Sequence, residues 1–347
     1  MCGFPLMCLL SAWLAGPMTG PPSGPALLQV GPSTMAGSGS TAGAADAALT
    51  PLPAARERFE VGTMTVQRFG DRGPAVILVP GLESGPWSWA DVIRHLQATH
   101  RVYAVTLAGF DGVPAPKPDP AAGNLLDRAD QSLHELITTR HLDKPVLVGH
   151  SIGGTLALRF AGEHPELLGG AVAVDGLPVF PGMQDADAGQ RKAAAGRMKQ
   201  QLAGMSPAQF KAYAGGYMQR VGVIDPDLAA AAVPHLVKSD PEAVAAYAAA
   251  DMEADYRPGL AKAKVPILEI MPYYDQDRQD AQNSPQAAMF PDEAGKLAFY
   301  RGLLSNAPDA RVVAVKDARH FVMLDQPRAF TKVLDTFLHG LSREHTP

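Results

Sequence analysis

The first patterned stretch of the chain alternates apolar and polar side chains in two short runs. Arg56–Val61 and Met64–Phe69 both have this period of two, and Gly62-Thr63 lies between them. A period of two places the apolar side chains of a strand on one face, and a glycine-containing pair between two such runs is typical of a tight turn. The pattern therefore predicts a β-hairpin.

Beyond this hairpin, continuous apolar runs alternate with segments whose apolar residues recur at helical spacing. Continuous runs are typical of strands buried on both faces of a parallel sheet. The runs are Ala75–Val79, Val102–Leu107, Val146–Val148, Gly170–Val174, Val265–Met271 and Arg311–Val315. The predicted helices are Ser88–Ala98, Leu125–Thr139, Thr155–His164, Asp292–Leu304 and Pro327–Leu341. This alternation predicts an α/β fold with a doubly wound, mostly parallel sheet.

The alternation stops between Leu177 and Lys264, where no strand-like run occurs. This length far exceeds an ordinary loop. Three helix starts of one type lie inside it, each with a capping side chain followed by proline: Ser206-Pro207, Asp225-Pro226 and Asp240-Pro241. Proline suits the first position of a helix, where its missing N–H is not needed. We expect a helical insertion over one end of the sheet.

The first 55 residues differ in composition from the rest. Phe4–Leu14 is an apolar run of the length of a signal-peptide core, and a segment rich in Gly, Pro, Ser and Ala follows it. Ala42-Gly43-Ala44 could be a cleavage site, but the first basic residue is Arg56. Residues 1–55 are therefore interpreted as a leader or a disordered segment. The protein would be periplasmic or secreted if this is a leader, and otherwise cytoplasmic.

Composition narrows the possible functions. Thirty basic and 35 acidic residues give a formal net charge of −5 without a basic block, so nucleic acid is not an expected partner. Outside the extreme N-terminus there is no apolar run of membrane-spanning length. Both cysteines, Cys2 and Cys8, precede the folded body, which excludes disulfides, zinc–thiolate sites and a cysteine nucleophile there. We expect no metal and no cofactor.

The most informative motif is Gly149-His150-Ser151-Ile152-Gly153, which joins a predicted strand to a predicted helix. So tight a bend forces a positive φ on the serine, and side chains larger than glycine would clash on either side. The bend lifts the Ser151 hydroxyl clear of the sheet at the start of a helix. Ser151 is therefore the candidate nucleophile.

A serine nucleophile needs a base, and the base needs a carboxylate that orients it. His320 follows a strand, whereas most other histidines lie in helices or at element ends, so His320 is the candidate base. Asp275, beyond the strand that ends at Met271, is the preferred acid, and Asp175 and Asp277 remain alternatives.

Backbone N–H groups must also stabilise the charge that develops on the attacked carbonyl oxygen. The N–H of Ile152, directly after the nucleophile, is one expected donor. The loop after Ala75–Val79 offers the other, and Leu82, behind Pro80-Gly81, is the best placed.

These motifs resemble those of the α/β-hydrolase family. The resemblance covers about Glu57 to Leu341 and includes the family's order of serine, aspartate and histidine. It implies an eight-stranded sheet, a cap inserted after the sixth strand, and hydrolysis through an acyl-enzyme. Residues 56–176 and 265–347 would form the core and residues 177–264 the cap. One departure is Pro80-Gly81, where many members have His-Gly.

The resemblance favours a serine hydrolase that cleaves small carboxylic esters. A serine at the elbow argues against the epoxide-hydrolase and dehalogenase branches, whose nucleophile is a carboxylate. The alternatives are an aminopeptidase or amidase, for which Glu83 could hold a free amine, a cofactor-free perhydrolase of the haloperoxidase type, and a non-catalytic ligand-binding relative. Aromatic and methionine side chains of the insertion could line an apolar acyl pocket.

Overall fold

A computed structural model describes residues 49–117, 120–280, 290 and 292–344. The predicted signal-peptide core and cleavage site lie in residues 1–48 and therefore fall outside the described residues.

Eight strands form a single sheet in the order β1-β2-β4-β3-β5-β6-β7-β8. The hairpin strands β1 and β2 are antiparallel to each other, β2 is antiparallel to β4, and all other neighbours are parallel. The strands are β1 Glu57–Val61, β2 Met64–Phe69, β3 Ala75–Val79, β4 Arg101–Thr106, β5 Val146–His150, β6 Gly170–Val174, β7 Ile267–Tyr273 and β8 Ala310–Lys316. The predicted hairpin and the eight-stranded, mostly parallel sheet are confirmed.

Helices connect the parallel strands and fill the long segment between β6 and β7. They are α1 Ala90–Leu96, α2 Leu125–Thr139, α3 Ile152–Glu163, α4 Ala188–Ala203, α5 Pro207–Tyr217, α6 Pro226–Leu236, α7 Pro241–Glu253, α8 Asp275–Asp280, α9 Glu293–Leu303, α10 Val322–Asp325 and α11 Pro327–Glu344. The helix predicted over Ser88–Ala98 is divided: a 3-10 turn, Pro86–Trp89, precedes α1.

Successive side chains of the central strands belong to two separate cores. In β3, for example, Ile77 and Val79 pack with α2 and α3, whereas Val76 and Leu78 pack with α1 and α11. All four side chains have no solvent exposure. The period of two thus explains both the continuous apolar runs and the helices on both faces of the sheet.

The helical insertion between β6 and β7 contains α4 to α7. Ser206, Asp225 and Asp240 cap α5, α6 and α7 with their side chains, and a proline follows each of them. A π-helical turn, Met218–Gly222, continues α5 toward the carboxyl edge of the sheet. Within the described part of the chain, no helix has the length and apolar character required to cross a bilayer.

The start of α3 packs against the backbone of β3 without any intervening side chain. A Cβ placed on Gly153 would lie 2.5 Å from the Val79 carbonyl oxygen and 2.6 Å from that of Pro80. Real Cβ atoms do not approach backbone oxygens so closely, so this contact requires glycine. The helix is thereby held against the strand whose loop lies beside Ser151.

We expect Gly153→Ala to destabilise the protein by about 3 kcal/mol, because the added methyl group forces α3 away from β3. Gly196→Ala is the matched control. Gly196 is also helical, but it is exposed, and a methyl group added there would meet open space. That substitution should stabilise the protein by up to about 1 kcal/mol. Urea unfolding of the two variants measures both effects, and equal stabilities would contradict the proposed packing.

Candidate active site

The candidate functional residues lie where the parallel strands end at their carboxyl edge. Ser151 directly follows β5 and Asp175 directly follows β6, while His320 lies in the loop after β8. Because His150 pairs with Val174 in the sheet, Ser151 and Asp175 leave adjacent strands at the same level. The Ser151 N–H donates to the Val174 carbonyl at 2.9 Å, which keeps the two strand ends together.

The backbone at Ser151 has the strained conformation that the sequence predicts. Its φ is 54° and its ψ is −123°, a region that side chains rarely adopt. The strain is imposed by close backbone packing, since a Cβ at Gly149 would lie 1.9 Å from the Gly153 carbonyl oxygen. Gly176 also lies against Gly154 and the Ser151 carbonyl. The strand and helix therefore fix the position of the serine.

The carboxylate that contacts His320 is Asp175, not the preferred Asp275. His320 Nδ1 donates to Asp175 Oδ2 at 2.6 Å. Asp175 has a positive φ of 48°, which turns it off the end of β6, and aspartate tolerates this conformation better than most residues. This hydrogen bond leaves His320 Nε2 as the nitrogen that could exchange a proton with a nucleophile.

Asp275 and Asp277 are directed elsewhere because β7 extends to Tyr273, two residues beyond the predicted end. Asp275 is at the start of α8 and accepts a hydrogen bond from Tyr273 Oη at 2.9 Å. Asp277 pairs with Arg319 at 2.6 Å. Asp175, by contrast, is level with the middle of β7, because its N–H donates to the Ile270 carbonyl. The alternative that the sequence left open is therefore the one that reaches His320.

Other side chains keep Asp175 ionised. Burial alone would raise the pKa of its carboxyl, but the hydrogen bond and charge of His320, the nearby Lys296 and the hydroxyl of Tyr300 lower it well below its ordinary value. Tyr300 Oη donates to Asp175 Oδ1. Burial, followed by the charge of Asp175, raises the pKa of Tyr300 well above its ordinary value, so this phenol remains a donor.

The backbone of His320 is also fixed. His150 Nε2 donates to the His320 carbonyl at 3.0 Å, and the centres of the two rings are 4.5 Å apart. His150 is fully buried, and burial holds its pKa well below its ordinary value, so it acts as a neutral packing group. On the other side, the His320 N–H donates to the Val221 carbonyl of the π-helical turn at 3.1 Å.

The expected oxyanion donors lie beside Ser151. A Cβ at Gly81 would lie 3.2 Å from the Ser151 Cβ, so the loop that carries Leu82 passes close to the serine. The Leu82 N–H makes no hydrogen bond with any residue that the structure describes. Ile152 is the first residue of α3, where a backbone N–H has no partner within the helix.

Ser151 Oγ and His320 are not hydrogen-bonded to each other in this structure. Serine–histidine hydrogen bonds of this kind are commonly long or poorly aligned until substrate binds. The structure thus places Ser151, His320, Leu82 and Ile152 at one edge, and the carboxylate beside His320 is Asp175 rather than the expected Asp275.

A second carboxyl group, which the sequence pattern did not single out, lies close to Asp175. Glu269 lies in β7 with no solvent exposure, and neither of its oxygens forms a hydrogen bond with a described residue. Burial, followed by the charge of Asp175, raises its pKa well above the ordinary value, and the nearby N–H groups of Gly176 and Asp175 offset this only in part. The sequence contains one signal for this group, which is a charged residue within the otherwise apolar run of β7.

Among the described residues, one group has the spacing required for metal ligands, and it lies away from this edge. It consists of Asp130, Glu163 and His164. The guanidinium of Arg159 pairs with both Asp130 and Glu163, at 3.8 and 3.1 Å, and so already supplies a positive charge to this cluster.

Comparisons with known proteins agree with this fold. Residues 76–333, more than half of the chain, match the sequence model of the alpha/beta hydrolase family. The chain therefore belongs to the alpha/beta hydrolase family.

Related proteins of described function match a shorter part of this chain. A fluoroacetate dehalogenase of a Burkholderia species is 30% identical over 134 residues, which are 38% of this chain and 44% of that protein. The human 1-acylglycerol-3-phosphate O-acyltransferase ABHD5 is 30% identical over 114 residues, 32% of this chain and 33% of that protein. The matched region thus spans less than half the length of these relatives.

Solved structures match over a longer part at lower identity. A thermophilic esterase from Thermogutta terrifontis has a TM-score of 0.64 and 20% identity, covering 82% of this chain and 99% of the esterase. An enol-lactonase from Burkholderia xenovorans has a TM-score of 0.62 and 21% identity, covering 82% of this chain and 100% of the lactonase. At this identity the likeness establishes the fold alone.

The burial of Glu269 predicts a specific dependence of stability on pH. The unfolded chain releases this proton near the ordinary pKa of 4.5, whereas the folded chain retains it, so the Glu269 contribution to stability falls as pH rises. Glu269→Gln removes the carboxyl group that takes up and releases this proton. Relative to wild type, its free energy of unfolding should increase by up to about 1.4 kcal/mol per pH unit above the unfolded pKa.

Urea unfolding at several pH values between about 5 and 8 measures this slope. The slope of the free energy of unfolding against pH is the informative quantity. The buried amide of the variant also changes the free energy itself, but by an amount that does not depend on pH. Glu60→Gln is the control, since Glu60 is exposed on β1 and its carboxylate stays in water. Parallel stability curves for Glu269→Gln and wild type would contradict a protonated Glu269.

Proposed function

We propose that this protein is a serine hydrolase that cleaves carboxylic esters through an acyl-enzyme, with Ser151 as nucleophile, His320 as base and Asp175 as orienting acid. The observation that carries this proposal is the 2.6 Å hydrogen bond from His320 Nδ1 to Asp175, at the level where Ser151 leaves the adjacent strand. The bond directs the other imidazole nitrogen away from the carboxylate. In this proposal residues 56–176 and 265–347 form the core, and residues 177–264 form the cap.

In the first half-reaction, Ser151 Oγ bonds to the ester carbonyl carbon while His320 Nε2 takes the hydroxyl proton. Asp175 stabilises the imidazolium that results. The charge that develops on the carbonyl oxygen is accepted by the N–H groups of Leu82 and Ile152. The bond to the alcohol oxygen then breaks, and His320 returns its proton to the leaving alcohol. Water then bonds to the acyl carbon while His320 takes its proton. The bond to Ser151 Oγ breaks, the carboxylic acid leaves, and His320 returns the proton to Ser151 Oγ.

Two considerations favour ester hydrolysis over the other reactions of the family. A serine hydroxyl at the elbow suits acyl transfer, despite the similarity to a fluoroacetate dehalogenase. The esterase and the enol-lactonase whose folds match this chain almost throughout their own length support the same class of reaction.

Substitution of the two competing carboxylates tests the site. With short p-nitrophenyl esters, Asp175→Asn should lower kcat by about 10⁴-fold, because the amide favours the wrong imidazole tautomer and cannot stabilise the imidazolium. Asp275→Asn should leave kcat close to that of wild type, because Asp275 is bonded to Tyr273 rather than to His320. The reverse ranking of the two variants would return the orienting role to Asp275.

A fluorophosphonate probe followed by mass spectrometry identifies the nucleophile directly. We expect the label on Ser151, and we expect Ser151→Ala to abolish both labelling and ester turnover. Unchanged turnover in Ser151→Ala would refute the proposed mechanism.

A further inference from the structure

Glu83 is the residue directly after the proposed oxyanion donor Leu82. It lies in a turn in which the Ser84 N–H donates to the Gly81 carbonyl at 3.1 Å, and its φ of 61° is positive. Ser239 Oγ of the insertion donates to the Glu83 carbonyl at 3.0 Å. The backbone of Glu83 is therefore held between the oxyanion loop and the insertion.

The carboxyl group of Glu83 is buried without a partner. The residue is only 5% exposed, and its side chain forms no hydrogen bond or ion pair with any part of the chain that the structure describes. Burial raises its pKa to about 8, and no charged side chain offsets the effect. Without a partner the group therefore keeps its proton up to about pH 8, and a nearby counter-charge would be needed to hold it as a carboxylate at neutral pH.

The titratable groups on which the charge of Glu83 acts are two phenols on α5, Tyr213 and Tyr217. The pKa values of Tyr213 and Tyr217 are raised, mainly by burial, and the charge of Glu83 contributes to both shifts. The two phenol rings are 6.5 Å apart, and the Tyr217 ring is 6.0 Å from the His320 ring. This row of rings connects the surroundings of Glu83 with the proposed base.

A cation would complete this arrangement. It would supply the counter-charge that Glu83 lacks, and aromatic rings beside a carboxylate add a cation–π attraction. A carboxylate substrate would meet like charge once Glu83 is ionised, and a purely alkyl substrate would leave the buried acid unpaired.

We propose that Glu83 is a specificity residue that pairs with a positively charged ammonium group of the substrate, beside the rings of Tyr213 and Tyr217. The inference rests on the proposed ester hydrolysis and names its substrate class as esters that carry an ammonium group on the acyl or the alcohol part.

The test compares esters that differ in charge but not in shape. Butyrylcholine against the neutral dimethylbutyl ester of butyric acid tests the alcohol part. The methyl ester of ε-aminocaproic acid against methyl heptanoate tests the acyl part. In wild type, kcat/KM should favour the cationic member of at least one pair by roughly tenfold, the effect of about 1.4 kcal/mol of differential binding. Equal values in both pairs, or a preference for the neutral esters, would overturn the inference.

Glu83→Gln should bring the cationic-to-neutral ratio close to one, because the amide keeps the shape and cannot carry charge. Glu83→Asp keeps the charge and should keep part of the preference. Glu242→Gln, a substitution in the first turn of α7, is the matched control and should leave the ratio unchanged. Retention of the wild-type ratio in Glu83→Gln would contradict the proposal.

The pH dependence of wild type provides a readout that requires no variant. The ratio for the quaternary butyrylcholine pair should rise as pH passes upward through about 8, where Glu83 loses its proton. The contribution of His320 is common to both esters and cancels in the ratio. If wild type prefers butyrylcholine but the cationic-to-neutral ratio does not change with pH, the preference comes from a group other than Glu83.

Failure of this inference can be separated from failure of the proposed function. If Ser151 takes the fluorophosphonate label and neutral esters are hydrolysed, but the ratios do not depend on Glu83, only the specificity assignment is wrong. If no ester is turned over and Ser151 is not labelled, the proposed reaction itself is wrong.

Discussion

The hydrogen bond between His320 and Asp175 joins two strand ends that are not neighbours in the sheet. His320 follows β8 and Asp175 follows β6, so β7 lies between them. Asp175 turns off its strand with a positive φ, and the loop after β8 is held at the end of β7, where the Ala318 N–H donates to the Tyr273 carbonyl. The register between β5 and β6 then places Ser151 beside Asp175. The geometry of the site is therefore a consequence of parallel pairing between β5 and β6.

Two carboxyl groups in the interior near this bond have opposite protonation states. Asp175 is stabilised as an anion by His320 and Tyr300, whereas Glu269 lies close by in an apolar strand, where protonation is favoured. Negative charges on both carboxyl groups would repel each other. A neutral Glu269 therefore allows Asp175 to stay ionised. Environment, rather than residue type, assigns the two roles.

Local patterns in the sequence were sufficient for the fold, and they selected two of the three side chains of the proposed site. Ala75–Val79, Gly170–Val174 and Leu125–Thr139 have the same limits in the structure as in the prediction, because each is bounded by strong turn or capping signals. Ser151 and His320 could be selected because each follows a strand at a distinctive position.

The carboxylate that contacts His320 could not be selected from the sequence, because the choice depends on how far β7 extends. The prediction ended β7 at Met271, which would bring Asp275 near the edge of the sheet. Pairing with β8 extends β7 to Tyr273, and Asp275 consequently starts α8. Strand length beyond an apolar run is set by pairing with a neighbour, which a local pattern does not contain. Tyr300 and Lys296 were missed for the same reason, since they reach Asp175 only through tertiary packing.

The π-helical turn Met218–Gly222 ties the insertion to the loop that carries His320. The carbonyls of Val221 and Gly222 accept hydrogen bonds from the backbone N–H groups of His320 and Phe321, and Arg319 donates to the carbonyls of Gln219 and Val223. A hinge motion of the whole insertion would have to break these bonds or displace the imidazole with it. A displacement of other helices of the insertion, with this turn in place, would leave these bonds and the position of His320 unchanged.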